Sequence, residues 1–184
     1  MTSRLLALLT ALALAAPAAA QTTSFPALCL SASPDEYVGR IEVDFGDTFS
    51  LYVCLTGDDG DPLPFALNSV QWALLTTCCG GSPALYVDVE YNQELTHEGD
   101  PAFSVVSDAV SCLDQDFVVL ARVDFNWLYE PVEGPFNLGA QCLNVAYDCE
   151  GSGWITTGLP LEVVPLNVTP AESDTWSAVK RTYR

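Results

Sequence analysis

An all-β chain, folded as an antiparallel β-sandwich of some eight or nine short strands, is what the sequence predicts. Apolar and polar residues alternate with period two in several separate runs. Clusters of turn residues divide the runs at regular spacing, and no long 3.6-residue pattern lies between them.

The leader stands apart from this pattern. MTSRLLALLTALALAAPAAAQ has one basic residue, Arg4, an apolar run from Leu5 to Ala16, and small residues ending at Ala20. This is the three-part pattern of a signal peptide, here residues 1–20, which predicts export and removal. The run is shorter than the about 20 apolar residues of a spanning helix, so no membrane insertion is expected after cleavage.

Residues 21–168 are expected to form the sandwich. GRIEVDF sets Ile41, Val43 and Phe45 on one side and Arg40, Glu42 and Asp44 on the other, as a half-buried strand requires. FSLYVCL repeats the alternation with Phe49, Leu51, Val53 and Leu55, and LYVDVEY with Leu85, Val87, Val89 and Tyr91 against Asp88 and Glu90. LEVVPLNV closes the series. VQWALL and DFVVLARVDF are more continuously apolar and read as central strands, with Trp72 in the core. The turns fall at TGDDGDPLP, CCGGSP, HEGDP, EPVEGP and CEGSG. After Pro165 the chain reads as a linker and a basic-aromatic tail, residues 169–184. There Trp176, Val179 and Tyr183 would share one face of a short C-terminal helix. Lys180, Arg181 and Arg184 would complement the negative end of its dipole.

Composition narrows the function. Six Lys and Arg stand against 24 Asp and Glu, a net charge of −18, so nucleic acid and anionic lipid are poor partners. Apolar content of 49% argues against disorder, because it suffices to build a core. All seven cysteines follow the leader, which suits an oxidising compartment. Seven is odd, so at most three bridges form and one thiol is left over. Cys142 with Cys149 is the most local pair, closing a hairpin around LNVAYD; Cys29, Cys54, Cys78, Cys79 and Cys112 have no pairing fixed by spacing. A single His and no C-x-x-C pair disfavour zinc.

Candidate sites are few. Asp58, Asp59 and Asp61 around Gly60 offer hard oxygens on a tight turn and would bind calcium weakly, although a solvated turn between strands is the better account of them. His97, in THEGDP, reads as a loop residue and would be a general base only beside Glu98 or Asp100. Neither G-x-S-x-G nor H-E-x-x-H occurs, and the S-x-x-K of Ser177 and Lys180 lacks its companion motifs. Trp127 and Trp154, with Tyr129, would make a stacking platform for sugar rings. Asn167-Val168-Thr169 is a glycosylation sequon.

The layout of leader, cysteine-bearing sandwich, loop-rich GAQCLNVAYDCEGSGW and terminal TWSAVKRTYR resembles a group of small secreted bacterial proteins. They carry a cohesin-like, immunoglobulin-like sandwich and a T-W-x-x-[IV]-K-x-x-Y-R tail. The resemblance implies an interaction role, since cohesins bind a partner module through one sheet face. No cohesin contact residue transfers by motif. The expected protein is therefore a secreted or cell-surface module without enzymatic activity and without a required cofactor. Its partner would be another protein or a surface glycan, and its tail a sorting address or a docking element that promotes self-association. A carbohydrate-binding module is the alternative, and a carboxylate-dependent hydrolase the least favoured reading.

Overall fold

A computed structural model describes residues 25–44, 46–75, 84–127, 136–140 and 144–166. The leader, Cys78, Cys79, Tyr129, Cys142, Asn167 and the tail residues Trp176, Val179, Lys180, Arg181, Tyr183 and Arg184 lie outside these residues. In chain order the strands are β1 (Ala27–Ser31), β2 (Arg40–Asp44), β3 (Thr48–Thr56), β4 (Leu67–Trp72), β5 (Leu74–Leu75), β6 (Ala84–Tyr91) and β7 (Leu95–Asp100). There follow β8 (Ser104–Leu113), β9 (Val118–Trp127), β10 (Phe136–Ala140), β11 (Asn144–Asp148), β12 (Gly153–Leu159) and β13 (Leu161–Leu166). Among the described residues the sandwich has thirteen strand segments, more than the eight or nine expected, partly because apolar runs are cut where the chain changes sheet. VQWALL is one such run: β4 ends at Trp72, and the Leu74 N–H is taken by the Pro101 carbonyl at 2.7 Å as β5 crosses to the second sheet.

One hydrogen-bonded ribbon has the order β6-β9-β3-β1-β12-β11-β4-β8-β7, and a smaller sheet runs β2-β13-β10-β5. The ribbon folds over on itself. The ring of Trp72 on β4 lies 6.2 Å from that of Tyr91 on β6, six places away in the strand order. Its outermost strands, β6 and β7, are also consecutive in the chain and joined by a turn at Asn92, whose side-chain amide donates to the Val119 carbonyl at 2.7 Å. The two halves thereby become the layers of a sandwich around one core, in which Leu51, Val53, Val123 and Phe125 meet Val70, Trp72, Leu95 and Val105. Val43, Leu138, Leu161 and Val163 of the smaller sheet join the same core. Burying side chains of this size stabilises by roughly 1.5–3 kcal/mol each.

Strand β1, ALCLS, is buried along its whole length, so it shows no alternation in sequence. It pairs antiparallel with β3 and parallel with β12, and so joins the halves of the ribbon. HEGDP, expected as a turn, is mostly strand: His97, Glu98 and Gly99 belong to β7, and the reversal comes at Pro101–Phe103. Gly99 makes this possible with φ +122°, and a Cβ there would lie 2.1 Å from the Ser104 carbonyl oxygen.

The disulfide differs from the one expected. Cys149 is bonded to Cys112, with Cα atoms 5.9 Å apart, and not to Cys142. The segment between Cys142 and Cys149 contains extended β11, which alone spans about 13 Å at roughly 3.3 Å per residue, too far for a bridge between its ends. The actual bond ties the end of β8 to the turn after β11, and β4 runs between those two strands.

Replacing Gly99 by Ala is expected to lower stability by roughly 1–3 kcal/mol through backbone strain and the carbonyl clash. A fall in the urea unfolding midpoint at unchanged slope would register it.

Candidate interaction face

Strands β12, β11, β4 and β8 lie side by side, and alternation turns every second side chain outward. On β12 this exposes Ile155, which is 63% accessible, and on β8 Val106 and Val110, the latter 76% accessible. On β11 it exposes Tyr147, with Val145 directly opposite Ile155 in the ladder. Gly153 faces Tyr147 and leaves room for it, since a Cβ at Gly153 would sit 3.3 Å from the tyrosine ring and 3.7 Å from Val145. Ser69 and Gln71 on β4 fill the middle, with Gln71 Nε2 donating to Ser104 Oγ at 2.7 Å. The charges here are acidic: Asp108 follows Val106 on the outward side of β8, and Glu98 of β7 lies opposite Val106. The only Lys or Arg among the described residues are Arg40 and Arg122. Both are on other strands and in ion pairs, Arg40 with Glu42 and Glu162, Arg122 with Glu90 and Asp124. Among the described residues, an apolar centre rimmed by carboxylates results.

Beneath this face runs a closed polar chain. Trp72 Nε1 donates to Ser107 Oγ at 2.8 Å, Ser107 Oγ lies 2.8 Å from His97 Nδ1, and His97 Nε2 lies 2.9 Å from the Asn92 carbonyl. Indole N–H only donates and a carbonyl only accepts, so the arrangement assigns the imidazole proton to Nε2 and turns the Ser107 hydroxyl toward Nδ1. Tyr91 stacks on the imidazole at 4.4 Å. His97 is thus an inward strand residue with both nitrogens engaged, rather than the loop residue expected, and its neighbours Glu98 and Asp100 are exposed on the outward side. Its hydroxyl partner is fully buried. The geometry suits a strut more than a general base.

The turn at the edge of the face is built on Asp148. One carboxylate oxygen accepts from the Glu150 and Ser152 amides at 3.0 and 2.8 Å, and the other accepts from Trp154 Nε1 at 2.9 Å. The Trp154 bond is the largest cause holding this carboxyl below its usual range; burial opposes it, and the amides of the turn add to the lowering. Trp154 itself is half-buried and stacked on Phe65 at 5.3 Å. Trp127 is 1% accessible, a core residue at the end of β9. The expected platform for sugar rings is therefore not formed by Trp127 and Trp154, because one indole is enclosed and the other already has a stacking partner.

Asp58, Asp59 and Asp61 lie on a tight turn closed by its own backbone, with Asp61 N–H donating to the Asp58 carbonyl at 3.0 Å. Among the described residues no three His, Cys, Asp or Glu side chains gather as a metal site, so the calcium expectation finds no ligand set there. Asp88, Glu90 and Asp124 line a shallow depression around Arg122, which neutralises part of their charge. The outward apolar residues were missed in the sequence, although one signal was present. In SVVSDAV the valines at 106 and 110 share parity with Ser104 and Asp108, which places them with the polar side of the strand.

Asp148 contributes stability that is complete above the unfolded carboxylate pKa of about 4 and is lost as pH falls from there through its lowered folded pKa. The stability difference between wild type and Asp148→Asn should be full at neutral pH and close in acid, as read from thermal midpoints across pH.

No protein-family profile matches the sequence, and no curated protein matches it. Solved structures do share the architecture. The third ScaB cohesin of R. flavefaciens, solved with a group 1 dockerin, aligns with a TM-score of 0.55 at 10% identity, covering 79% of this chain and 98% of that one. The sixth cohesin of Acetivibrio cellulolyticus scaffoldin B, solved with a Cel5 dockerin, gives 0.53 at 9% identity over 78% and 100%. The cohesin module of a Clostridium perfringens family 33 glycoside hydrolase gives 0.52 at 11% identity over 78% and 98%. With its folded-over ribbon and single shared core, the chain has a cohesin-like β-sandwich fold.

Proposed function

We propose that the protein is an exported, non-enzymatic binding module that holds a protein partner on the outer face of β12, β11, β4 and β8. The observation that carries this reading is the exposed group of Val106, Val110, Tyr147 and Ile155, set among carboxylates with no cation beside them among the described residues. Apolar and aromatic residues at the centre of a patch are what binding surfaces use as anchors. The complementary partner presents apolar side chains flanked by Lys or Arg, and the acidic field hastens its approach. Two of the cohesins that share the fold were solved with dockerins, which agrees with a protein ligand. Export is supported by the leader and by an exposed disulfide of the kind that persists in oxidising compartments. Among the described residues no helix is long and apolar enough to cross a membrane.

The tail, TWSAVKRTYR, carries half of the chain's six basic residues on an acidic protein. It serves as a sorting or docking element, toward this domain or that of a second copy.

Ile155→Asp combined with Val110→Asp should weaken retention of a partner from the host's secreted proteins at least about tenfold, or roughly 1.4 kcal/mol. Arg122→Ala, on another face, should leave it unchanged, and rising salt should weaken wild-type binding. Equal retention by the double variant and wild type would exclude this face. Removing Thr175 to Arg184 should impair export, surface retention or self-association. No change in any of the three would leave the tail without the proposed role.

A further inference from the structure

Cys29 and Cys54 are unbridged thiols in the structure, yet they occupy directly opposed positions of the antiparallel β1–β3 ladder. Opposed residues in such a ladder have Cα atoms about 4.5–5.5 Å apart. That spacing falls within the about 4.4–6.8 Å that a disulfide spans. Leu28 and Leu30 on β1, and Val53 and Leu55 on β3, point into the core, so the intervening cysteines share the opposite side of the strand pair. The Cys29 sulfur already lies over its partner residue, 3.6 Å from the Cys54 carbonyl oxygen. Both cysteines are fully buried.

A loop covers them. The fully buried Ser31 hydroxyl, two residues beyond Cys29 on the same side, donates to the Glu36 carbonyl at 2.7 Å and accepts from the Val38 amide at 2.9 Å. Between these anchors Tyr37 reaches the Pro160 carbonyl with its hydroxyl at 2.7 Å. The exposed Cys112–Cys149 bond requires an environment that oxidises thiols.

We propose that Cys29 and Cys54 form a cross-strand disulfide that fastens β1 to β3 in the exported protein. Closing it joins the two sulfurs, releases two protons, and passes two electrons to the disulfide of a thiol–disulfide oxidoreductase, which leaves as a dithiol. The exchange belongs to folding, before the Tyr37 loop settles. In a chain that folds with the bond still open, burial, and then the neighbouring Cys29 thiol, hold Cys54 far above the usual thiol range, and a protonated, enclosed sulfur does not exchange.

The test is a peptide map of full-length protein recovered from an oxidising compartment, alkylated while denatured and without reductant. Cleavage after acidic residues isolates Cys29 in the peptide ending at Asp35 and Cys54 in the one between Asp47 and Asp58. The expected result is these two peptides linked and free of alkylation. In Cys29→Ala the Cys54 peptide should become alkylated, and the reverse should hold in Cys54→Ala. Alkylation of both residues in wild type that keeps Cys112–Cys149 intact overturns the proposal. So does linkage of either one to Cys78, Cys79 or Cys142. If a variant fails to accumulate, the wild-type map alone decides.

Discussion

The parallel pairing of β1 with β12 is the seam on which the architecture depends. On one side of it β6, β9 and β3 run out from β1 as an antiparallel ladder, and on the other β11, β4, β8 and β7 run out from β12. Ala27 to Cys29 meet Thr157 to Leu159 across it, so the seam brings together segments near opposite ends of the described chain. Parallel neighbours cannot be joined by a tight turn, and their contact closes a very long loop. The entropic cost is offset by burial on both faces of β1 and by the anchoring of its flanks, where the Thr157 amide donates to the Pro26 carbonyl at 2.9 Å. A fold held by such distant pairings belongs to the slow end of the folding range.

The distribution of charge follows from the same layout. Glu98 and Asp100 on β7, and Asp88 and Glu90 on β6, place carboxylates on the outermost strands of the ribbon, where open backbone groups would otherwise recruit another strand. The central outward strip of β12, β11, β4 and β8 is where apolar side chains are displayed. A solvated protein rarely leaves Ile, Val and Tyr together in the open without a use for them.

What could be read from residues alone follows burial geometry. β2 and β3 were legible because one side of each faces the core, and that asymmetry is written as alternation. β1 was not, since a strand enclosed on both faces has no polar side to mark it. His97 looked like a loop residue because Glu98, Gly99 and Asp100 around it have turn chemistry; the strand forms anyway because β8 supplies a partner for every residue from Leu95 to Asp100. Trp127 sits beside a turn-rich segment in sequence but at the enclosed end of β9 in space. The disulfide differs from the expected one for a related reason. Proximity along the chain is not proximity in the fold: extended β11 carries its ends apart, and its pairing with β4, where the Cys149 amide donates to the Ala66 carbonyl at 3.1 Å, brings Cys149 toward β8. The candidate face was hardest to see, because surface valines carry the same letter as core ones and only register separates them.

The sole imidazole of the chain is fixed between the two outermost strands of the ribbon, held by a serine from one layer and lying flat against an aromatic ring from the other. Nature has in effect installed a single magnetic reporter at the closure of the sandwich. Ring current from the tyrosine must displace its carbon-bound proton resonances, so one proton spectrum can follow whether the layers stay shut during unfolding or capture of a ligand.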